Sequence, residues 1–138
     1  MTVKDFYKKD PLTGKFVFAT CVKRAREEKG ISLRQFAENV GCSAAYWSEI
    51  EKGVKPTPVK LLPAIAKTLG VDEKEMDNFC DTAYLTREEL APDMADYIKN
   101  NPRVLKVLRI IKDNNLDIDA VMYAMQRAVY DKKQHDVM

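Results

Sequence analysis

Residues Ser32 to Gly53 read SLRQFAENVGCSAAYWSEIEKG, and this stretch decides the fold. Ser32 stands just before an apolar periodic run, where its hydroxyl can cap a helix, and Gln35 three residues on is the matching capping-box partner. Phe36, Ala37 and Val40 recur on one face of that helix. Ala37 is small, as a position must be where two helices cross closely. Gly41 supplies a left-handed turn residue at no steric cost. Cys42 then tucks toward a core, Ser43 caps a second helix, Trp47 and Ile50 face inward, and Gly53 ends it. Two short helices joined by a tight turn are the expectation.

The flanks extend the pattern. Upstream, a helix is expected over Val17 to Lys29, with Phe18, Cys21, Val22 and Ala25 as its apolar stripe and Gly30 as its stop. Lys23, Arg24 and Arg26 fall elsewhere around it. Residues 1–15 form an arm, with a turn signal at Asp10-Pro11-Leu12-Thr13-Gly14 between aromatic residues. Downstream, Pro58 suits the first position of a fourth helix behind Thr57 as cap. Pro63 falls inside that helix, where it removes a backbone bond and should kink or tighten it. A fifth helix is expected from Asp72, with Glu75 as capping partner, to about Ala83.

Beyond that the character changes. Thr86-Arg87-Glu88-Glu89 is a further capping-box pattern, and Pro92 and Pro102 punctuate the rest of the chain. Helices are expected at 93–100, 103–114 and 119–133. Val104, Val107, Leu108 and Ile111 form one stripe. Ile118, Val121, Met122, Met125, Ala128 and Val129 form another. Together they predict a helical hairpin with more apolar surface than a soluble chain leaves open. It can pack back onto the preceding helices or make a dimer.

Composition bounds the rest. A length of 138 residues supports one compact domain, or a small domain with an extension. Apolar content of 46% suits a globular core and charged content of 32% a helical, solvated surface. No apolar run reaches the roughly 18 residues of a membrane span, and the polar N-terminus does not resemble a signal peptide. Cys21, Cys42 and Cys80 are far apart and in no metal-ligand spacing, which fits a reducing cytoplasm and buried small apolar residues. Residues 1–60 carry 12 Lys and Arg against 7 Asp and Glu, whereas residues 61–138 carry 11 against 14. The basic half holds the paired helices, as a phosphate-facing surface would.

The stretch from Ser32 to Gly53 and its flanks resemble the lambda-repressor-like Cro/Xre family. The shared pattern is Ala37, then Gly41 four later, a small apolar residue and a cap, apolar residues at Trp47 and Ile50, and Glu51-x-Gly53. The segment Pro56 to Val71, with its terminating Leu69-Gly70-Val71, resembles that family's fourth helix. The resemblance covers residues 16–80, more than half the chain, and spans five helices in register. It implies an all-α fold: a five-helix lambda-repressor-like DNA-binding domain over 16–83, preceded by the arm at 1–15 and followed by a C-terminal helical region over 84–138. Leu33 departs from the pattern, because the family usually holds there a Gln that touches a phosphate.

By motif position, the resemblance implies that the helix near 43–52 enters the major groove of double-stranded DNA with its N-terminal end leading. Ala44, Ala45 and Glu49 would then face base edges, with Ser48 beside them. The two alanines could touch only thymine methyl groups, and Glu49 could accept from a cytosine N4 amine. Ser43, Tyr46, Lys52 and Lys55 would contact phosphates, with Arg34 reaching from the preceding helix. In the arm, Lys4, Lys8, Lys9 and Lys15 leave open a minor-groove contact, a small hairpin or a frayed tail.

The reading is a dimeric transcriptional repressor on a two-fold symmetric operator, paired through its C-terminal helices. An adaptor whose C-terminal helices bind a protein partner such as a toxin, a protease or another regulator is the alternative. Catalysis is not expected: there is no phosphate-binding glycine loop, nucleophile elbow or metal cluster, and the single histidine, His135, lies in a charged tail. No cofactor, metal or membrane contact is expected.

Overall fold

The computed structural model describes residues 14–137, with side chains described from Phe18 onward. Expectations for residues 1–13 lie outside the described residues. Every regular element among the described residues is helical: α1 (Gly14–Glu28), α2 (Leu33–Val40), α3 (Ala44–Glu51), α4 (Leu62–Leu69), α5 (Met76–Leu85), α6 (Pro92–Asn100), α7 (Val104–Asp113) and α8 (Ile118–Val137). Short 3-10 turns at Val59–Leu61 and Glu73–Glu75 lead into α4 and α5. The chain divides into two compact units, one ending at Pro92 and the other starting at Asp93.

In the first unit α2 packs on α3 and α4, and α1 packs on α3, α4 and α5. The core they enclose holds Phe18, Val22, Phe36, Trp47, Ile50, Ile65 and Phe79, all sealed from solvent. Phe36 and Trp47 meet with ring centroids 4.7 Å apart, and Phe18 and Phe79 at 5.2 Å. Truncating one such aromatic costs about 3–5 kcal/mol, because the lost contacts and the cavity add. Ala37 is buried in the core where α2 packs on its neighbours, as its size allows.

Local signals set the ends of these helices. Ser32 Oγ accepts from the N–H of Gln35 at 3.1 Å. The second half of the capping box is not made, because Gln35 Nε2 donates to Asn39 Oδ1 at 2.9 Å instead. Gly41 takes φ +87°, and its N–H and that of Cys42 both return to the carbonyl of Ala37. This closes α2 and turns the chain into α3 within three residues.

Three expectations are corrected. The helix α1 starts at Gly14, three residues before the expected Val17, since neither Gly14 nor Lys15 bars a helix as a proline would. Pro63 kinks no helix interior: the stretch before it, Val59–Leu61, is the tighter 3-10 turn, and Pro63 falls in the first turn of α4, where its missing N–H has no intrahelical partner to lose. Thr86 to Glu89 start no helix. Thr86 is the C-cap of α5 and its hydroxyl donates to the carbonyl of Ala83, while Glu88 takes φ +59° in the turn after it. Arg87 Nη1 then donates to the carbonyl of Thr57 at 3.2 Å, which ties this turn to the loop before α4.

The second unit has well-defined helices and no sealed interior. Asp117 Oδ2 accepts from the N–H of Ala120 and caps α8, and Asn115 takes φ +48° in the turn after α7. Yet from Asp93 to Val137 no residue is buried. Leu108, Met122, Met125 and Val129 are each about half exposed. The two stripes expected to close on each other as a hairpin therefore stay largely open.

Candidate nucleic-acid interface

The presentation of α3 follows from its sequence. Ser43 Oγ accepts from the N–H of Tyr46 at 3.1 Å, which caps the first turn. Trp47 and Ile50 are buried, so the positions between them turn outward. The N–H of Gly53 returns to Ile50 and that of Val54 to Glu49, which stops the helix after two turns. The result is a short rod held by one face, with its capped N-terminal end open.

The residues named from the sequence do not stand alike on that rod. Ala45 and Ser43 are exposed, while Ser48 and Glu49 are half-buried. Ala44 and Tyr46 also lean on the core, as does Leu33 at the start of α2. That contact explains Leu33: an apolar side chain there adds to packing instead of reaching outward. Arg34 and Lys52 are exposed and have no ion pair or side-chain hydrogen bond among the described residues. Lys55 does have partners. Its ammonium lies 2.9 Å from Glu49 Oε2 and 5.1 Å from the centre of the Tyr46 ring. The hydrogen bond to Glu49 is the main cause that raises the Lys55 pKa above its ordinary value.

Sequence reasoning missed a buried cluster on the far side of α3. Arg26 Nε and Nη2 donate to the two oxygens of Glu51 at 2.6 and 3.1 Å, and Trp47 Nε1 donates to Glu51 Oε1 at 2.8 Å. Arg26 Nη1 donates to the carbonyl of Ile31 at 2.7 Å. Only 8% of the Arg26 side chain and 5% of that of Glu51 are exposed. The hydrogen bond to Glu51 raises the Arg26 pKa against the opposing effect of burial. One guanidinium thus binds α1, the loop after it and the last turn of α3. The available signal was spacing: Arg26 falls four residues after Val22, on the apolar stripe rather than beside it.

The site offers donors, acceptors and charge along the outward face of α3. Among the described residues no cluster of His, Cys, Asp and Glu could hold a metal ion, and no helix is long and apolar enough to cross a membrane. Burial raises the pKa of the Cys42 thiol, away from the thiolate form a nucleophile needs.

Residues 17–79 match the helix-turn-helix domain family. The chain is 32% identical to the HTH-type transcriptional regulator SinR of Bacillus licheniformis, over 51% of this chain and 74% of that protein. Among solved structures it is similar to the clp gene regulator ClgR of Corynebacterium glutamicum, at 20% identity and a TM-score of 0.44, over 76% of this chain and 97% of that one. The structural likeness is too loose to bear on function.

Proposed function

The chain belongs to the helix-turn-helix regulators of the Cro/Xre type, and from that premise we propose that it is a cytoplasmic, dimeric transcriptional repressor that reads a two-fold symmetric operator. The observation that carries this reading is the division of α3, with Trp47 and Ile50 sealed in the core and the Ser43-capped end, Ala45, Ser48 and Glu49 turned outward. In the major groove such a rod presents Ala44, Ala45, Ser48 and Glu49 to base edges. Ser43, Lys52 and Arg34 then lie toward phosphates, while the Lys55 ammonium is paired with Glu49 over the Tyr46 ring. With two alanines at the leading end, direct readout is thin, and duplex shape carries much of the remaining specificity.

The dimer is supported by the second unit. A segment of this size with no buried residue among those described cannot hold its own fold by apolar burial, and a second copy would cover Leu108, Met122, Met125 and Val129. The same exposed faces favour one other reading, a helix-turn-helix adaptor whose C-terminal helices bind a different protein.

Selection of random duplex DNA on the purified chain tests the proposal. A palindromic winner with half-sites about one helical turn apart is the expected result. Lys52→Ala should then weaken binding to all sequences alike and reduce the salt slope by about 1. Recovery of no preferred sequence, with affinity that simply collapses in salt, would overturn the operator reading and leave the adaptor.

A further inference from the structure

Glu49, Lys55 and Tyr46 make one cluster on the outward side of α3. The backbone builds it. After the helix ends, the N–H groups of Val54 and Lys55 both return to the carbonyl of Glu49, at 2.9 and 3.4 Å. The chain therefore doubles back onto the residue whose carboxylate Lys55 meets at 2.9 Å. The Tyr46 ring, three positions before Glu49, lies 5.1 Å beneath the same ammonium. The pair is held from three directions yet stays open, with side chains 48% and 44% exposed. An ion pair this exposed adds little to stability, because water screens it and two long side chains must be held still. Folding gives little reason for such a fixed arrangement, and recognition gives a better one.

A bare carboxylate entering a groove walled by phosphates is repelled, and an ammonium in direct contact offsets that charge. The pair also sets an acceptor beside a donor. In the major groove a C·G base pair sets a donor, cytosine N4, beside the acceptors O6 and N7 of guanine. We infer that Glu49 and Lys55 act as a single unit that reads one C·G base pair, Glu49 accepting from cytosine N4 and Lys55 donating to guanine, with the Tyr46 ring holding the ammonium in register. A reversed G·C pair sets acceptor against acceptor and donor against donor. An A·T pair offers one acceptor and a methyl group where guanine offers two acceptors. Lys55 is then a specificity residue and not an independent phosphate contact.

The inference rests on α3 lying in the major groove, so its test separates the two. The selected operator and its single-base-pair variants are titrated by fluorescence anisotropy with the wild-type chain, Glu49→Gln, Lys55→Met and the double variant. Circular dichroism and Trp47 fluorescence check that each variant is folded, which two half-exposed side chains should permit. The wild type is expected to prefer C·G over G·C at one position of each half-site by about tenfold or more. Both single variants should lose that preference at the same base pair, and the double variant should lose no more than either alone. A Lys55→Met chain that weakens on every sequence by a similar factor, keeps its base preferences and loses about one from the salt slope overturns the inference while sparing the groove-binding reading. A wild-type chain that enriches no sequence overturns both.

Discussion

Trp47 in the first unit is wholly sealed, whereas Tyr123 and Tyr130 in the second stand mostly in solvent. Both units have capped helices and tight turns of the correct chemistry. The difference is closure. In the first unit, five helices present their apolar stripes to one another and a guanidinium fastens the last turn of α3 from behind. In the second, α7 and α8 also carry apolar stripes, and nothing among the described residues of that unit seals them. Helix formation is thus settled by neighbours in sequence, while a core needs a second surface. The first unit supplies its own, and the second does not.

The sharpest way to break this contrast is to undo the fastening. Glu51→Ala leaves the buried Arg26 charge without its carboxylate and Trp47 Nε1 without an acceptor. The expected loss is about 3–5 kcal/mol in urea unfolding. Trp47 is the single tryptophan, so its fluorescence reports the first unit alone. The double variant Arg26→Met, Glu51→Leu should regain most of that loss, since removing both charges leaves neither unpaired. A Glu51→Ala chain as stable as the wild type would mean that packing alone holds α3.

A smaller effect is expected from charging the open faces. Leu108→Asp should leave the Trp47 unfolding transition within about 0.5 kcal/mol of wild type, as surface changes do. In sedimentation, under the proposed dimer, it should shift the chain to monomer. Affinity for a site with both half-sites should then fall by about tenfold or more. Unchanged mass with unchanged DNA affinity would remove the C-terminal helices from any dimer.

The smallest effects compare one cap in each unit. Ser32→Ala removes the acceptor for Gln35 and should lower the stability of the first unit by about 1 kcal/mol. Asp117→Ala removes the corresponding acceptor in α8. It should speed hydrogen exchange in the first turn of that helix without moving the Trp47 transition. If Asp117→Ala also lowered the stability seen by Trp47, the two units would be one cooperative body.

The contrast also divides local signals from distant ones. Ser32, Gly41, Ser43 and the inward face of Phe36, Ala37, Val40, Trp47 and Ile50 were legible because caps, turns and helical periodicity act over three or four residues. The Thr86 to Glu89 pattern misled for the same reason: an end of one helix and a start of another use similar residues, and only the course of the chain separates them. Of the proposed interface, the position of α3 and its outward residues could be placed by motif. The pairing of Glu49 with Lys55 could not, because it depends on the backbone turning back after Glu51.

By itself, then, the sequence determined which segments are helices, where the tight turn falls and which face of each helix is apolar. Only the tertiary structure decided that Arg26 is buried against Glu51, that Pro63 sits harmlessly in a first turn, and that the apolar stripes of α7 and α8 do not seal each other. The physical reason is range. Caps and periodicity are settled within a turn of helix, whereas the environment of a charge or a stripe depends on which distant surface arrives opposite it. Arg26 and Glu51 are 25 residues apart in the chain, and no local rule reaches that far.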